Sequence, residues 1–351
     1  MGIKVKLLEF ITLQYSPEEK DSILRLCLPE TSSVDEICRM NVYLGKKMAQ
    51  AALEVIHKAG IEPDNVDFIS SHGQTIYHMP EEHATLQIGE LAVIAAQTGC
   101  PAIGDFRPGD MAVGGQGAPL VPYTDYLLFG SPDTGRALIN IGGIGNVTVI
   151  EAGAMPQDVI AFDTGPGNML IDAMVRMGTS GEKSFDINGE IAASGSICTE
   201  WLNEIMDSDA YMRKEPPKST GREYYSIRMA ERLLGEGRKR KLSFEDIIAT
   251  ITAYTAESIK LHFNNYIDRK YSISEALVGG GGVYNKTLMK ELKESLKQKV
   301  MPMEALDFSS DAKEAVAFAI LGNEFLFGNY NNLPSATGAK KQVVMGKMVL
   351  P

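Results

Sequence analysis

The stretch "ALINIGGIGNVTVI", residues 137–150, constrains the fold more than any other part of the chain. Two short apolar runs, rich in Ile and Val, flank a glycine turn, the pattern of two strands joined at a tip. A third strand, "VIAFDTG" (159–165), follows, and then a polar, proline-containing region, "RKEPPKSTGREYYS". A helix is predicted from Ser243 through "SFEDIIATITAYTAESIKLHFNNYI", with an S-x-x-D start and apolar residues at Ile247, Ile248, Ile251 and Tyr254. "EALVGGGGVYNKTLMKELKESL" then reads as strand, glycine turn and helix. A last helix, "DAKEAVAFAILGNEFLF", presents an apolar face at Val316, Ala319, Ile320 and Phe327.

The first part of the chain alternates in the same way. A strand is predicted over 3–14, followed by the helical stretch "SVDEICRMNVYLGKKMAQAALEVIHKAG", where Ser33 and Glu36 have capping-box spacing and Gly60 is a stop. The strand "VDFISS" ends at "HGQT". A strand at "TLQIG", a helix "ELAVIAAQTG" and a strand "PAIGDF" running into "RPGDMAVGGQGAPLVP" complete this half. Turn residues cluster in "FGSPDTGR" (129–136), so the chain breaks there into two α/β halves, and a cleft between two such halves is where a ligand is expected. The length of 351 residues fits two domains, and 44% apolar with 23% charged residues is ordinary for a soluble globular chain.

Several function classes are excluded. A formal charge of −11 argues against gripping nucleic acid, which needs clustered Lys and Arg. The one basic run, "GRKRK" (237–241), reads as a solvated linker ahead of a helix. No apolar run approaches the ~18–20 residues of a membrane span, and the alternating N-terminus lacks a signal-peptide cleavage site. Cys27, Cys38, Cys100 and Cys198 are scattered, without C-x-x-C or a nearby His, and read as thiols in a reducing compartment. The expected setting is the cytoplasm.

Three glycine-rich turns stand out: "VGGQGAP" (113–119), "NIGGIGNVT" (140–148) and "VGGGGVYN" (278–285). Such turns can present backbone N–H groups to phosphate, although glycines also simply make turns. None fits a Walker A or Rossmann fingerprint. "NIGGIGNVT" lies between strands and is a hairpin tip, whereas "VGGGGVYN" joins a strand to a helix, so N–H groups and a positive helix end face one spot. A phosphate-contacting hairpin plus a strand–glycine–helix loop is the plan of the actin, sugar-kinase and Hsp70 type of ATP-binding domain. Asp163 in "AFDTGPGNMLID" is open to two readings, a helix cap or turn residue, or a group that does chemistry.

The blocks "SSHGQTIYH", "GDFRPGDMAVGGQGAPLVP", "LINIGGIGNVT", "FDTGPGNMLID", "PPKSTGRE", "GGGGVYN", "DAKEAVAFAILG" and "NLPSATGA" together resemble the anhydro-N-acetylmuramic acid kinase family, in the family's order from about residue 3 to the C-terminus. The resemblance implies an enzyme of bacterial cell-wall recycling. It hydrolyses the 1,6-anhydro bond of anhydro-N-acetylmuramic acid and phosphorylates O6 with ATP and Mg²⁺, giving N-acetylmuramic acid 6-phosphate. It also implies the two-domain actin-like (ribonuclease H-like) sugar kinase fold and a homodimer. The expected domains are 1–130 with 325–351, and 131–324 carrying the nucleotide loops.

Carried over by resemblance, Asp163 is the general base that takes a proton from the water attacking the anomeric carbon. Glu314 helps bind the sugar or orient that water, while Asp311 and Glu314 also have capping-box spacing. Arg107, Asp110 and the turn Gly115, Gln116 and Gly117 are expected on the sugar side, with surface ion pairing as the bland alternative for the charged pair. His72 and Gln74 follow a buried strand at its C-terminal end, where ligands collect, and a hydrogen-bonded core histidine is the alternative for His72. Gly142, Gly143 and Asn146 are expected at the phosphates; Gly279, Gly280, Gly281, Gly282 and Asn285 are expected at the adenosine. No role follows for Arg222, and no metal ligand is assigned.

One departure from the family is large. Its members open with a strand running into "G-x-M-S-G-T-S-x-D-G", the first phosphate loop, and a second strand, none of which occurs here. The expectation is a start at an internal or misassigned Met and, for these residues as written, poor ATP binding and little turnover. Two other readings stand beside the kinase: a non-catalytic sugar- or nucleotide-binding relic, and a glycosidase using Asp163 and Glu314 as its carboxylate pair.

Overall fold

The computed structural model describes residues 3–351. The chain groups into a discontinuous unit, Ile3–Thr124 with Ala312–Pro351, and a continuous unit, Asp125–Asp311. Among the described residues the strands are Ile69–Ser71 (β1), Gln74–Met79 (β2), Ala84–Ile88 (β3), Ala102–Gly104 (β4), Arg136–Ile141 (β5), Ile144–Ile150 (β6), Ile160–Pro166 (β7), Glu275–Gly279 (β8), Lys299–Pro302 (β9) and Lys347–Val349 (β10).

The continuous unit is built on a five-stranded sheet in the order β7-β6-β5-β8-β9. β5, β6 and β7 form an antiparallel meander, while β8 and β9 run parallel to β5. This order and these senses fit the actin-like fold that the resemblance implies. Parallel pairing of β5 with β8 needs a crossover, and the helix Phe244–His262 lies in it. The sequence starts that helix where expected: Asp246 N–H donates to Ser243 Oγ at 3.0 Å, and Ile247, Ile248, Ile251 and Tyr254 are buried. Its apolar residues Ala256 and Ile259, with Phe263 just beyond its end, close over Ile139, Ile141 and Val147 of the sheet. Trp201, Leu233 and Tyr254 anchor a second, helical core.

"GRKRK" is no linker. The helix Ile227–Lys239 takes in its first three residues and ends there, with Arg238 and Lys239 in the last turn, where cations oppose the negative helix end. Arg240 pairs with Glu204 just beyond, and Gly237 is buried where a Cβ would press on Ile247 at 2.6 Å.

In the discontinuous unit β1 pairs with β4 in parallel and β10 with β4 antiparallel, and β2–β3 forms a separate hairpin. The helices Val34–Lys58 and Leu91–Thr98 stand where the pattern put them. The expected strand over 3–14 does not form. These residues run without a ladder partner along an apolar groove of ≈ 910 Å³ walled by Val55, Ile56, Phe68, Ile69, Val316 and Ala319. An alternating pattern makes a strand only where another edge meets it; here residues 3–11 border the groove instead, with Val5, Leu7 and Leu8 exposed. Ala319 is therefore exposed on the groove wall. Phe327, at the end of the helix Lys313–Leu326, is 74% exposed, so it is no part of the apolar face expected for it. The helix Pro17–Leu26, with a formed Ser16–Glu19 capping box, was not anticipated.

Candidate active site

Asp163 lies within β7, not at a helix terminus: the helix Met169–Gly178 begins after Asn168, and the Asp163 side chain caps nothing. The cap reading is thereby removed. β7 is the sheet's edge strand, and Asp163 sits directly across from Asn146 on β6, next to a register shift between Gly145 and Asn146. An edge strand leaves one row of peptide groups unpaired; at Asp163 a loop fills that row. Asp163 N–H donates to Lys218 O at 3.1 Å, and Asp163 O accepts from the Tyr211 hydroxyl at 3.0 Å. The carboxylate accepts the Thr220 N–H at Oδ2, 2.8 Å, leaving Oδ1 without a donor among the described residues. Burial pushes the carboxyl up to about 6, opposed by the Thr220 hydrogen bond, with the Glu223 charge adding to the rise and Lys218 countering it. A half-buried carboxylate with one free oxygen and a value near neutrality has the properties of a general base.

The hairpin tip at Gly142–Gly143 turns its carbonyls toward the helix that follows β7. Gly142 O accepts from Asn168 N–H at 2.8 Å, and Gly143 O from Gly167 and Met169 N–H at 2.9 and 3.2 Å. The four glycines 279–282 differ in what they do. Gly279 and Gly282 are packing positions, where a Cβ would meet the Met303 sulfur at 2.8 Å and Ile141 at 2.5 Å. Gly280 takes φ +77°, and a methyl there would lie 2.8 Å from Ile141 O, so no other residue fits. At Gly281 the nearest atom to such a methyl is Asn168 Nδ2, 3.6 Å away, so this glycine faces open space. A 3₁₀ turn, Gly281–Tyr284, intervenes before the helix Lys286–Ser295. Asn285 caps that helix, its Oδ1 accepting Leu288 N–H at 3.0 Å, so the positive helix end expected to face a ligand is already engaged.

In the discontinuous unit His72, Arg107, Asp110 and Gly117 come together. Arg107 opens the short helix Arg107–Ala112, donating from Nε to His72 Nε2 at 3.0 Å and from Nη1 to Gly117 O at 2.6 Å. With Nε2 accepting, His72 carries its proton on Nδ1, 2.9 Å from Gly73 O. Burial and the Arg107 charge hold the imidazole down to about 4, so it is neutral near pH 7. Burial also lowers Arg107 from its ordinary value, opposed by the charge of Glu314. Asp110 is 0% exposed and accepts from Gly117 N–H, Asn332 Nδ2 and Thr337 Oγ1 at 2.8, 2.9 and 2.7 Å. Its carboxylate is spent on shaping the glycine turn. Buried Gly115 lies against it, and exposed Gln116 donates its N–H to Thr337 O.

Glu314 is exposed in the first turn of the helix Lys313–Leu326, whose N-cap is Ala312 with no side-chain capping bond. The Asp311–Glu314 capping box does not form; Asp311 accepts from the Tyr284 hydroxyl instead. Gln74 turns its amide to Thr75 O of its own strand. Arg222 is exposed, and nothing in the structure gives it a role. The sequence reading missed Tyr211, Lys218 and Thr220 behind Asp163, and Asn332 and Thr337 behind Asp110. "PPKSTGRE" and "NLPSATGA" were the blocks that held part of this signal.

A family model described as Anhydro-N-acetylmuramic acid kinase matches residues 3–351. The chain is 48% identical to the anhydro-N-acetylmuramic acid kinase of Caldanaerobacter subterraneus subsp. tengcongensis, over 100% of this chain and 90% of that one. It is 45% identical to the enzyme of that name from Clostridioides difficile, over 98% and 90%. Among solved structures, the activator of the 2-hydroxyisocaproyl-CoA dehydratase from Clostridium difficile is similar with a TM-score of 0.42 and 12% identity, over 78% of this chain and 79% of that one. A ROK family glucokinase from Streptomyces griseus is similar with a TM-score of 0.33 and 10% identity, over 78% and 87%. The match over residues 3–351, with close to half of the residues identical to two enzymes of that name, makes the chain a member of the anhydro-N-acetylmuramic acid kinase family.

Proposed function

We propose that this kinase adds water across the 1,6-anhydro bond of anhydro-N-acetylmuramic acid and transfers the γ-phosphoryl group of ATP to the released O6. Asp163 takes a proton from water through its free Oδ1 as the oxygen bonds to the anomeric carbon. The C1–O6 bond breaks, O6 bonds to the γ-phosphorus, and ADP leaves with the bridging oxygen. The products are ADP and N-acetylmuramic acid 6-phosphate, with the water proton on Asp163. The observation that carries this reading is the Asp163 carboxylate, pushed up to about 6 and held at one oxygen only.

Glu314 and the His72–Arg107 pair serve the sugar in this reading. Neutral His72 fixes the guanidinium by accepting its Nε–H, and Asp110 keeps the Gly115–Gly117 turn in shape. The Gly142–Gly143 tip and open Gly281 serve the nucleotide, with close approach possible because neither side is blocked by a Cβ. The described residues hold no group of three or more His, Cys, Asp or Glu that could hold a metal ion. A Mg²⁺ ion carried by ATP is bound largely by the phosphates, needs only one or two carboxylates, and supplies charge neutralisation to phosphoryl transfer. The same reading makes the enzyme a cytoplasmic homodimer of cell-wall recycling.

The reaction run in ¹⁸O-water tests the proposal. Label at the anomeric hydroxyl and none in the phosphoryl group is expected, with no product in the absence of ATP. Sugar opening without ATP would favour a glycosidase and refute the coupled reaction.

A further inference from the structure

One buried cluster has no part in the function so far. Asp209, 3% exposed between the helix Thr199–Ser208 and the turn Ala210–Arg213, gathers four donors on one carboxylate. Oδ1 accepts Tyr211 N–H at 2.8 Å and the Tyr224 hydroxyl at 2.7 Å. Oδ2 accepts the Tyr225 hydroxyl at 2.8 Å and the Tyr254 hydroxyl. Burial, with the Asp209 charge, raises all three phenols, so they stay protonated as donors. Burying a carboxylate is costly, and a fold in need of stability alone is served as well by apolar side chains. The cluster instead leads outward to the base. Tyr211, its N–H fixed by Asp209 and its ring against Tyr224 and Tyr225, donates its hydroxyl to Asp163 O. Its carbonyl accepts Lys218 Nζ at 3.0 Å, and that ammonium lies 4.3 Å from the Tyr211 ring centroid. Lys218 O and Thr220 N–H then hold the Asp163 backbone and carboxylate.

We propose that Lys218 and the strap from Lys218 to Thr220 position Asp163, and that Asp209 with its tyrosine hydroxyls is the buried anchor holding the strap. These are positioning residues, acting on the substrate only through the base, and the proposal rests on Asp163 being that base. The charged and titratable groups around Asp163 are Lys218, Glu223 and Tyr211. Those around Lys218 are Asp209, Lys214, Asp163, Tyr211, Tyr266 and His262, and burial holds Lys218 down to about 8. Near neutral pH the Lys218 cation favours the ionised base, opposing burial and Glu223.

The test is steady-state kinetics with the anhydro-sugar and ATP from pH 5 to 9, beside thermal melts, for Tyr211→Phe, Lys218→Met, Lys218→Arg, Tyr254→Phe and Asp163→Asn. Tyr211→Phe and Lys218→Met should melt near the wild type yet lose about tenfold in kcat, with the KM for ATP within about twofold. Lys218→Met should move the acidic limb of the pH profile up by about half a unit, so activity at pH 6 falls about twofold further than at pH 8. Lys218→Arg, which keeps the charge, should return the limb to its place, and Tyr254→Phe should lower kcat about threefold. Folded Tyr211→Phe and Lys218→Met with wild-type kcat and limb would overturn the proposal. If Asp163→Asn is inactive while those two behave as wild type, only the positioning role fails. If Asp163→Asn retains kcat, the base assignment itself fails.

Discussion

Replacing Asp163 with Asn should make the protein more stable and less active at once. A carboxyl raised from 3.8 to about 6 in the folded chain is a site where ionisation works against folding. Below about pH 4 it is protonated in both states and the penalty vanishes. As the pH rises from 4 to 6 the unfolded chain ionises first, and the fold loses stability. Above about 6 the penalty is complete. Two pKa units correspond to about 3 kcal/mol. Partial exposure and the lost attraction to Lys218 reduce this, so a gain of about 1–3 kcal/mol is expected for Asp163→Asn at pH 8. The amide oxygen still accepts the Thr220 N–H, so the strap stays in place. In a domain of this size the gain raises the melting temperature by about 3–8 °C. Loss of the base should lower kcat by about 10²-fold or more. Melts at pH 4 and pH 8, with a coupled ADP-release assay, read both effects. A variant less stable than wild type at pH 8, or a stability difference that does not grow from pH 4 to pH 8, would refute the assignment of a desolvated carboxyl here.

Gly115→Ala would put its methyl 2.1 Å from Asp110 Oδ2, so it should cost about 2–4 kcal/mol in urea unfolding and raise the KM for the sugar above that for ATP. Gly280→Ala meets both a φ of +77° and Ile141 O at 2.8 Å; a loss of about 1–3 kcal/mol and a KM effect confined to ATP are expected in the same assays. His72 is neutral down to about pH 4, so His72→Asn should raise the sugar KM without moving either limb of the pH profile between 5 and 9. A limb displaced by that substitution would show that His72 titrates in the working range.

What the sequence makes legible follows the range of the forces involved. The helix after Ser243 declares itself because cap, first turn and apolar face lie in one continuous stretch. The hairpin at Gly142–Gly143 does so because its turn and both strands are neighbours. Residues 3–14 misled because alternation reports one apolar side and says nothing about whether a ladder partner is present. The helix Arg107–Ala112 holds Pro and Gly in its single turn and a half, so no period betrays it. Asp163 and Glu314 were identified by resemblance. Their local alternatives as caps fell only when the structure showed a strand around one and an uncapped helix start at the other. The supports were invisible for a plainer reason. Thr220 and Tyr211 reach Asp163, and Asn332 and Thr337 reach Asp110, from far along the chain; the family-like blocks around Thr220, Asn332 and Thr337 mark the segments but not the carboxylates they support.

The hairpin tip has one further consequence. Its two carbonyls, at Gly142 and Gly143, stop the free end of the helix Met169–Gly178, and Asn168 Nδ2 adds a tie to Ile141 O at 3.2 Å. The peptide units that would feel an arriving phosphate are thus clamped to the segment that leads directly back into β7 and Asp163. If the tip holds a phosphate as proposed, these hydrogen bonds give any displacement of it a direct route to the segment that follows Asp163.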